Sequence, residues 1–290
     1  MSKINCSIII HTKNEESQLQ ECINSLKWSD DIVIYDSYSN DKTEEIAHKN
    51  NCRFIQRPNY DKTKPFGGCE ATHRNWGLRN ITFKYDWLFV IDADERCTES
   101  CSQNIFKEIN KANNRINAYR IRRRDFFQDT HLYHTQLSAW FIRLFKPKYI
   151  TYARSINFTI QVDGIVKNMS GYIDHYPFNH GISFWIKRHN YYSSFEAKEF
   201  KKLKETKISF KLIKNCFFSS NLEEKKKSQK KLFYKLPFRP FIKFIFTYLI
   251  KRGFLDGKAG FNYAILQFMY EYMIVLKQQE KQEHLDISNF

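Results

Sequence analysis

The chemistry this 290-residue sequence is best equipped for lies at Asp92-Ala93-Asp94-Glu95. The apolar run Trp87 to Ile91 leads into it and stops abruptly at these carboxylates. Carboxylates crowded together are costly unless something positive holds them, and a hard divalent cation shared with substrate phosphates is the usual occupant. The alternative is a solvated acidic turn. Two earlier apolar runs also end in polar groups: Ile8-Ile9-Ile10 before Lys13-Asn14-Glu15, and Ile32 to Tyr35 before Asp36-Ser37. A carboxylate at such a tip accepts hydrogen bonds from a base N–H or a ribose hydroxyl. Helix capping is the competing role, more so for Asp41 than for Asp36. Arg74 suits a pyrimidine ring or a phosphate, or is simply a solvated helix charge.

The elements that must carry these residues alternate in type. Cys6 to Ile10 reads as a strand, followed by an amphipathic helix with Leu19, Cys22, Ile23 and Leu26 on one face. Ile32 to Tyr35 and Cys52 to Ile55 read as strands around a helix over Thr43 to Lys49, and Ala71 to Asn80 as a helix after the loop Tyr60 to Gly68. Trp87 to Ile91 has the continuous apolar pattern of a strand buried on both faces. Strands and helices alternating at this pace predict an α/β fold with a mostly parallel, Rossmann-like sheet flanked by helices. Ligands of such sheets lie outside the carboxyl ends of the strands, which is where the acids fall. The first strand is not followed by Gly-x-Gly-x-x-Gly, and no Gly-x-x-x-x-Gly-Lys-Ser/Thr occurs, which argues against dinucleotide and P-loop sites.

The formal net charge of +16 is unevenly spread. Residues 1–100 hold 13 Lys and Arg against 16 Asp and Glu, whereas residues 201–290 hold 19 against 8. An acidic front and a basic, aromatic-rich back suggest two tasks, a cation and substrate at one end and a polyanionic surface at the other. The seven cysteines show no Cys-x-x-Cys spacing and read as reduced, which points to the cytoplasm. Ile8-Ile9-Ile10 is too short for a signal-peptide core. A basic nucleic-acid-binding module is the alternative of another class, but the acidic front and the lack of any recognition signature argue against nucleic acid.

An ordered set of motifs narrows this further. Ser7 to Ile10 with Lys13-Asn14-Glu15, Asp30 to Thr43, His73-Arg74-Asn75-Trp76 and Asp92 to Arg96 resemble the family 2 glycosyltransferases of GT-A fold. The likeness continues through Arg143-Leu144-Phe145, Val162-Asp163-Gly164, His189-Asn190-Tyr191 with Glu196-Ala197, and Arg252 to Gly260. Within that family it is most similar to bacterial enzymes that build the lipopolysaccharide core or related surface glycans. The resemblance implies a metal-dependent, inverting transfer of a sugar from a nucleotide-sugar donor to a glycolipid or oligosaccharide acceptor. It implies that Thr12, Lys13, Asn14, Glu15 and Ser37 line the nucleotide, that Asp36 reads the base, and that Arg74 lies beside base or diphosphate. Asp92 would touch ribose or metal, and Asp94 would be the principal ligand of Mn2+ or Mg2+.

Relatives carry an acid a few residues before Val-Asp-Gly, but Ser155 to Gln161 offers none. Asp163 is then the nearest candidate for the catalytic base, unless it is only the turn residue of an Asp-Gly hairpin; Asp125 and Asp129 are the others. The missing acid leaves room for a homologue that binds donor with weak or lost turnover. Ala118 to Phe127 alternates as a strand whose arginines receive acceptor phosphates or line an exposed face. His131, His134, His175 and His180 are as a group better read as structural than as metal ligands. The expected organisation is a catalytic domain over 1–182, with a nucleotide-sugar half at 1–100 and an acceptor half at 101–182. Residues 183–290 form a basic helical region. Its aromatic and basic stretches suit peripheral contact with the anionic cytoplasmic face of a bacterial inner membrane, or packing on the sheet.

Overall fold

Ile8, Ile9 and Ile10 are all fully buried, which requires cover on both faces of their strand. The computed structural model supplies it. It describes residues 3–62, 65–112, 115–136, 138–153, 159–204, 214–216 and 222–280. Strand β1 (Ser7–Thr12) pairs in parallel with β2 (Ile32–Asp36) on one side and β4 (Leu88–Asp92) on the other, and β2 pairs in parallel with β3 (Arg53–Gln56). Ile8, Ile10, Ile34, Phe89 and Ile91 face Leu19 and Cys22 of α1 (Leu19–Asn24) and Cys101 and Ile105 of α4 (Glu99–Lys111). Ile9, Val33, Leu88 and Val90 point the other way, against Ala71 and Leu78 of α3 (Glu70–Asn80). Helix α2 (Thr43–Lys49) spans the residues its pattern indicated. Side chains of a strand alternate between faces, so an unbroken apolar run means helices above and below.

Beyond β4 the sheet becomes mixed. β5 (Glu95–Cys97) is three residues long. β8 (Trp140–Phe145) runs antiparallel to both β4 and β6 (Ile116–Phe127), and β11 (Ile165–His175) runs parallel to β6 and antiparallel to β5. The strand order is β3-β2-β1-β4-β8-β6-β11-β5. A separate antiparallel pair joins β9 (Ile150–Ala153) to β10 (Thr159–Val162). This is the mostly parallel, helix-flanked α/β arrangement of GT-A type, with a helical region at its C-terminal end. Residues 154–158, where an acid was sought before Val-Asp-Gly, lie outside the described residues.

The chain forms two compact units, Met1–Phe126 with Leu137–Asn179, and Phe127–Gln136 with His180–Phe290. The second holds the short strand β7 (Thr130–His131), helix α5 (Ile182–Lys204) and the helices Leu222–Phe233, Arg239–Ile245 and Gly257–Gln279. The motif Arg252 to Gly260 has a packing reason here. A Cβ on Gly260 would sit 2.0 Å from the Gly253 carbonyl oxygen, so the turn closes on the helix only with glycine there. Asp256 ties the same turn to Phe127–Gln136, accepting from the backbone N–H of His134 and Thr135 and from the Thr135 hydroxyl at 2.8–3.1 Å. Burial opposes its charge, yet these bonds and the His134 ring hold its carboxyl below the ordinary range. His134 is thereby a structural residue.

Candidate active site

Parallel register decides what meets at the carboxyl rim. Thr12 lies opposite Asp36, and His11 opposite both Tyr35 and Asp92, so the acids of β2 and β4 flank the end of β1. Asp36 is fully buried. Its oxygens accept from the Thr12 hydroxyl at 2.8 Å, the Ser39 N–H at 2.8 Å and hydroxyl at 2.6 Å, and the Gln56 amide at 2.9 Å. Its present work is therefore to lock the end of β1 to the turn after β2. The Lys13–Glu15 segment is held to that turn: the Lys13 ammonium reaches the Tyr38 carbonyl, the Asn14 N–H the Ser39 hydroxyl, and the Glu15 N–H the Thr43 hydroxyl. Asn14 and Tyr38 adopt positive φ of 57° and 62°, so both crossings of the rim are tight turns. The Ser37 hydroxyl lies 3.3 Å from His73 Nε2, and the His73 ring stacks on Tyr35 at 4.3 Å. Burial, then Arg57 and Arg74, pull the His73 pKa down to about 4, leaving a neutral ring under the site.

The acids of the Asp92–Glu95 turn belong to a chain of alternating charges. Arg74 donates to Glu70 at 3.0 Å and lies 3.6 Å from Asp92 Oδ1. Arg143 Nη2 donates to Asp92 Oδ2 at 2.9 Å and to Glu95 Oε1 at 2.6 Å. Glu95, fully buried, faces Arg123 at 3.7 Å and accepts from the Asp92 N–H at 3.0 Å. Arg123 reaches Asp125 at 3.2 Å, Asp125 reaches His175 Nδ1 at 2.5 Å, and His175 Nε2 lies 3.3 Å from Asp94. The sequence of signs is thus strictly alternating, from Glu70 through Arg74, Asp92, Arg143, Glu95, Arg123, Asp125 and His175 to Asp94. Both members of the Asp-x-Asp pair sit in it, each against a cation.

Electrostatics follow from this pairing. Burial alone would raise the Asp92 carboxyl, but Arg143 and Arg74 hold it well below the ordinary range. Burial dominates at Glu95 and pushes it up, against the pull of Arg143. Burial disfavours protonated His175, yet Asp94 and the bond to Asp125 more than offset it and lift the pKa to about 9. The ring is an imidazolium at neutral pH. His11, buried beside Arg74, is held well below the ordinary value and stays neutral.

Asp92 keeps 33% of its side-chain surface against 9–10% for Arg74 and Arg143, and Asp94 keeps 15%, about as much as His175. Among the described residues no group of three or more His, Cys, Asp or Glu could hold a metal ion. Among the described residues Asp92 and Asp94 are the carboxylates this rim presents, a donor set that would suit a hard ion completed by phosphate oxygens and not an all-protein cage.

Of the residues singled out in the sequence, Thr12, Lys13, Asn14, Glu15, Asp36, Ser37, Arg74, Asp92 and Asp94 converge on this rim. Asp163 does not. Ile165 pairs with Ile116 at the start of β6, whereas His175 pairs with Asp125 at its end, so Asp163 lies at the opposite end of these strands from the rim that carries His175. Its N–H donates to the Tyr149 carbonyl and its carbonyl accepts from Asn117. Nor is it in a hairpin: β10 pairs with β9 and β11 with β6, and Gly164 at φ 116° turns the corner between them. Asp125 is the base candidate that the fold carries to the rim. Arg143 and Glu95 went unassigned in the sequence; the alternation of Phe141, Arg143 and Phe145 within β8 was the available signal, a charge on a strand otherwise apolar.

A family model described as Glycosyl transferase family 2 matches residues 7–172, more than half of the chain. An uncharacterized glycosyltransferase of Rickettsia typhi is 28% identical over 235 residues, 73% of each chain. Another, of Rickettsia prowazekii, is 27% identical over 245 residues, 76% of each. Among solved structures, S. aureus TarS superposes over 92% of both chains at 12% identity and a TM-score of 0.41. Glucosyl-3-phosphoglycerate synthase of Mycobacterium tuberculosis, crystallised with Mn2+, UDP and glucosyl-3-phosphoglycerate, covers 42% of this chain and 44% of its own at 17% and 0.32. The matched span runs from β1 into β11 and contains every member of the charged chain except His175, and on that match the protein is a member of glycosyl transferase family 2 and a sugar-transferring enzyme.

Proposed function

We propose that the protein transfers a sugar from a nucleotide-sugar donor, with a divalent cation such as Mn2+ or Mg2+, to a lipopolysaccharide core or another bacterial surface glycan. The observation that carries this is the shared rim: Thr12–Asp36 and His11–Asp92 register places the ends of β1, β2 and β4 side by side, with Asp94 one turn beyond. The donor's nucleoside lies along Thr12 to Glu15 and Ser37, with Asp36 holding those segments in place. Its diphosphate lies at Arg74, Asp92 and Asp94. A cation there would be held by Asp94 and Asp92 and would supply electrostatic stabilisation of the charge that grows on the departing diphosphate. Arg74, already desolvated and fixed by Glu70, aligns the donor without reorganising. His175, Asp125 and Arg123 keep the Asp94 side chain oriented toward the rim.

The transfer proceeds with inversion, as the family likeness implies. The domain division proposed is 1–182 for catalysis and 183–290 for the basic helical region. The proposed acceptor is lipid-linked, met on the cytoplasmic face of an inner membrane, and two features support this. All seven cysteines are free thiols, and the helical region combines bases with exposed aromatics. Among the described residues no helix is long and apolar enough to cross a membrane, so the contact proposed is peripheral.

A thermal-shift screen of nucleotide sugars with and without manganese tests the donor reading. Ligand that binds only the folded state raises Tm by mass action, by about 2.7 kcal/mol of added stability at a hundred times Kd. One donor class should raise Tm with manganese and not with EDTA. A screen in which no nucleotide sugar shifts Tm refutes the reading. A shift without turnover on any acceptor favours a donor-binding homologue instead, a reading suggested by the missing acid ahead of Val162-Asp163-Gly164.

A further inference from the structure

The helix Gly257–Gln279 is apolar on both sides, the pattern of a helix buried all round, yet among the described residues only one side is buried. Gly260, Tyr263, Ala264, Leu266 and Ile274 are buried. Phe261, Ile265, Met269, Tyr272 and Leu276, spaced three or four apart, form a second stripe that is 36–48% exposed. The preceding segment adds Phe238, Phe241, Ile245, Phe246, Leu249 and Ile250, among which Phe238 is 76% and Ile250 67% exposed. Ring contacts join some of them in two groups. Phe241 meets Phe268 at 5.0 Å and Phe268 stacks on Tyr272; Tyr248 touches Phe261 at 5.5 Å and Phe254 at 6.3 Å. A monomeric soluble protein rarely leaves so much contiguous apolar area in water.

The charges on this stretch are mostly basic, with Glu196 and Glu280 as the acids beside it. Between residues 235 and 279 the only acids are Asp256 and Glu271, and both are buried. Asp256 is consumed by His134 and Thr135, and Glu271 faces Arg239 at 3.5 Å. Arg252 and Lys258 are exposed, and Lys243 and Lys251 are half-buried among the aromatics. We infer that this aromatic face is an interfacial anchor that lies in the headgroup region of an anionic lipid bilayer, Phe238, Phe241, Ile250 and Leu255 inserting and Lys243, Arg252 and Lys258 pairing with lipid phosphates. The inference rests on the proposed function only for the identity of the membrane-borne acceptor.

The charge pattern selects this occupant. A second copy of the chain would bring two positive rims together. A nucleic acid would pair with the bases and stack on some rings but would leave Ile245, Leu249, Ile250 and Leu255 without partners, since base recognition uses few aliphatic side chains. A bilayer interface takes both, apolar side chains inward and cations against anionic headgroups.

Sedimentation with vesicles of phosphatidylcholine alone, and of phosphatidylcholine with phosphatidylglycerol, tests it on the full-length protein. Wild type should co-sediment with the anionic vesicles at least about tenfold more strongly than with the neutral ones, with the preference shrinking as salt screens it. The variant Phe238→Ser/Phe241→Ser/Ile250→Ser removes three exposed side chains and should lose vesicle binding by at least about tenfold. Its Tm and its donor-induced thermal shift should stay at the wild-type value. Wild type that stays in the supernatant overturns the inference. So does a variant that binds as well as wild type, or a face whose masking tracks dimerisation or duplex DNA instead of lipid. Vesicle binding that persists in a protein no nucleotide sugar stabilises leaves the anchor standing and removes the proposed donor reading.

Discussion

Asp94→Asn is expected to lower sugar transfer by roughly a hundredfold or more while leaving Tm within a few degrees of wild type. The substitution preserves shape and removes one charge at the point where the proposed cation and diphosphate meet. Asp94 lies 3.3 Å from His175 Nε2, and His175 retains Asp125 on its other nitrogen at 2.5 Å, so the ring stays anchored when the Asp94 charge is removed. Steady-state transfer and a melting curve on the same preparation separate the two effects. Wild-type turnover in the variant would remove Asp94 from the metal role, and a collapse of Tm would make it a structural residue.

Arg143→Ala should do the reverse and act first on stability. Arg143 is 8% exposed, and its guanidinium bridges Asp92 and Glu95, the latter fully buried. Removing one partner of a buried pair leaves an uncompensated charge and costs about 3–5 kcal/mol. For a protein of this size that corresponds to a fall in Tm on the order of 10 °C. Glu44→Ala is the control, because the Glu44–His48 pair is more than 60% exposed on both sides and should change stability by less than about 1 kcal/mol. Equal effects from the two substitutions would mean that the charged chain is solvated and contributes no more than a surface pair.

The parallel half of the sheet was legible because each strand signals itself locally. Ile8-Ile9-Ile10, Ile32 to Tyr35 and Trp87 to Ile91 are short apolar runs ending in polar residues, and parallel pairing then brings those ends together whatever the exact register. The charged chain was not legible, because β8 enters the sheet out of order. Arg143 reaches Asp92 from 51 residues away, across an antiparallel strand wedged between β4 and β6, and no local pattern encodes that insertion. Asp163 shows the opposite failure. Val-Asp-Gly is a strong turn signal, but a turn fixes only which two strands it joins, not the end of the sheet at which it lies. Asp36 was placed correctly at the rim, yet its four internal hydrogen bonds depend on Ser39 and Gln56, whose approach is set by the turn and by β3.

The proposed cation is held by Asp92 and Asp94 and shared with the donor's diphosphate, since among the described residues no larger ligand group forms. Titration of Mn2+ followed by loss of its free-ion electron paramagnetic resonance signal, with and without UDP, GDP, ADP and TDP in turn, measures this directly. The expected result is weak uptake by the protein alone, uptake at least about tenfold tighter with one nucleoside diphosphate, and neither in Asp94→Asn. Tight uptake that ignores both the diphosphate and Asp94 would contradict it.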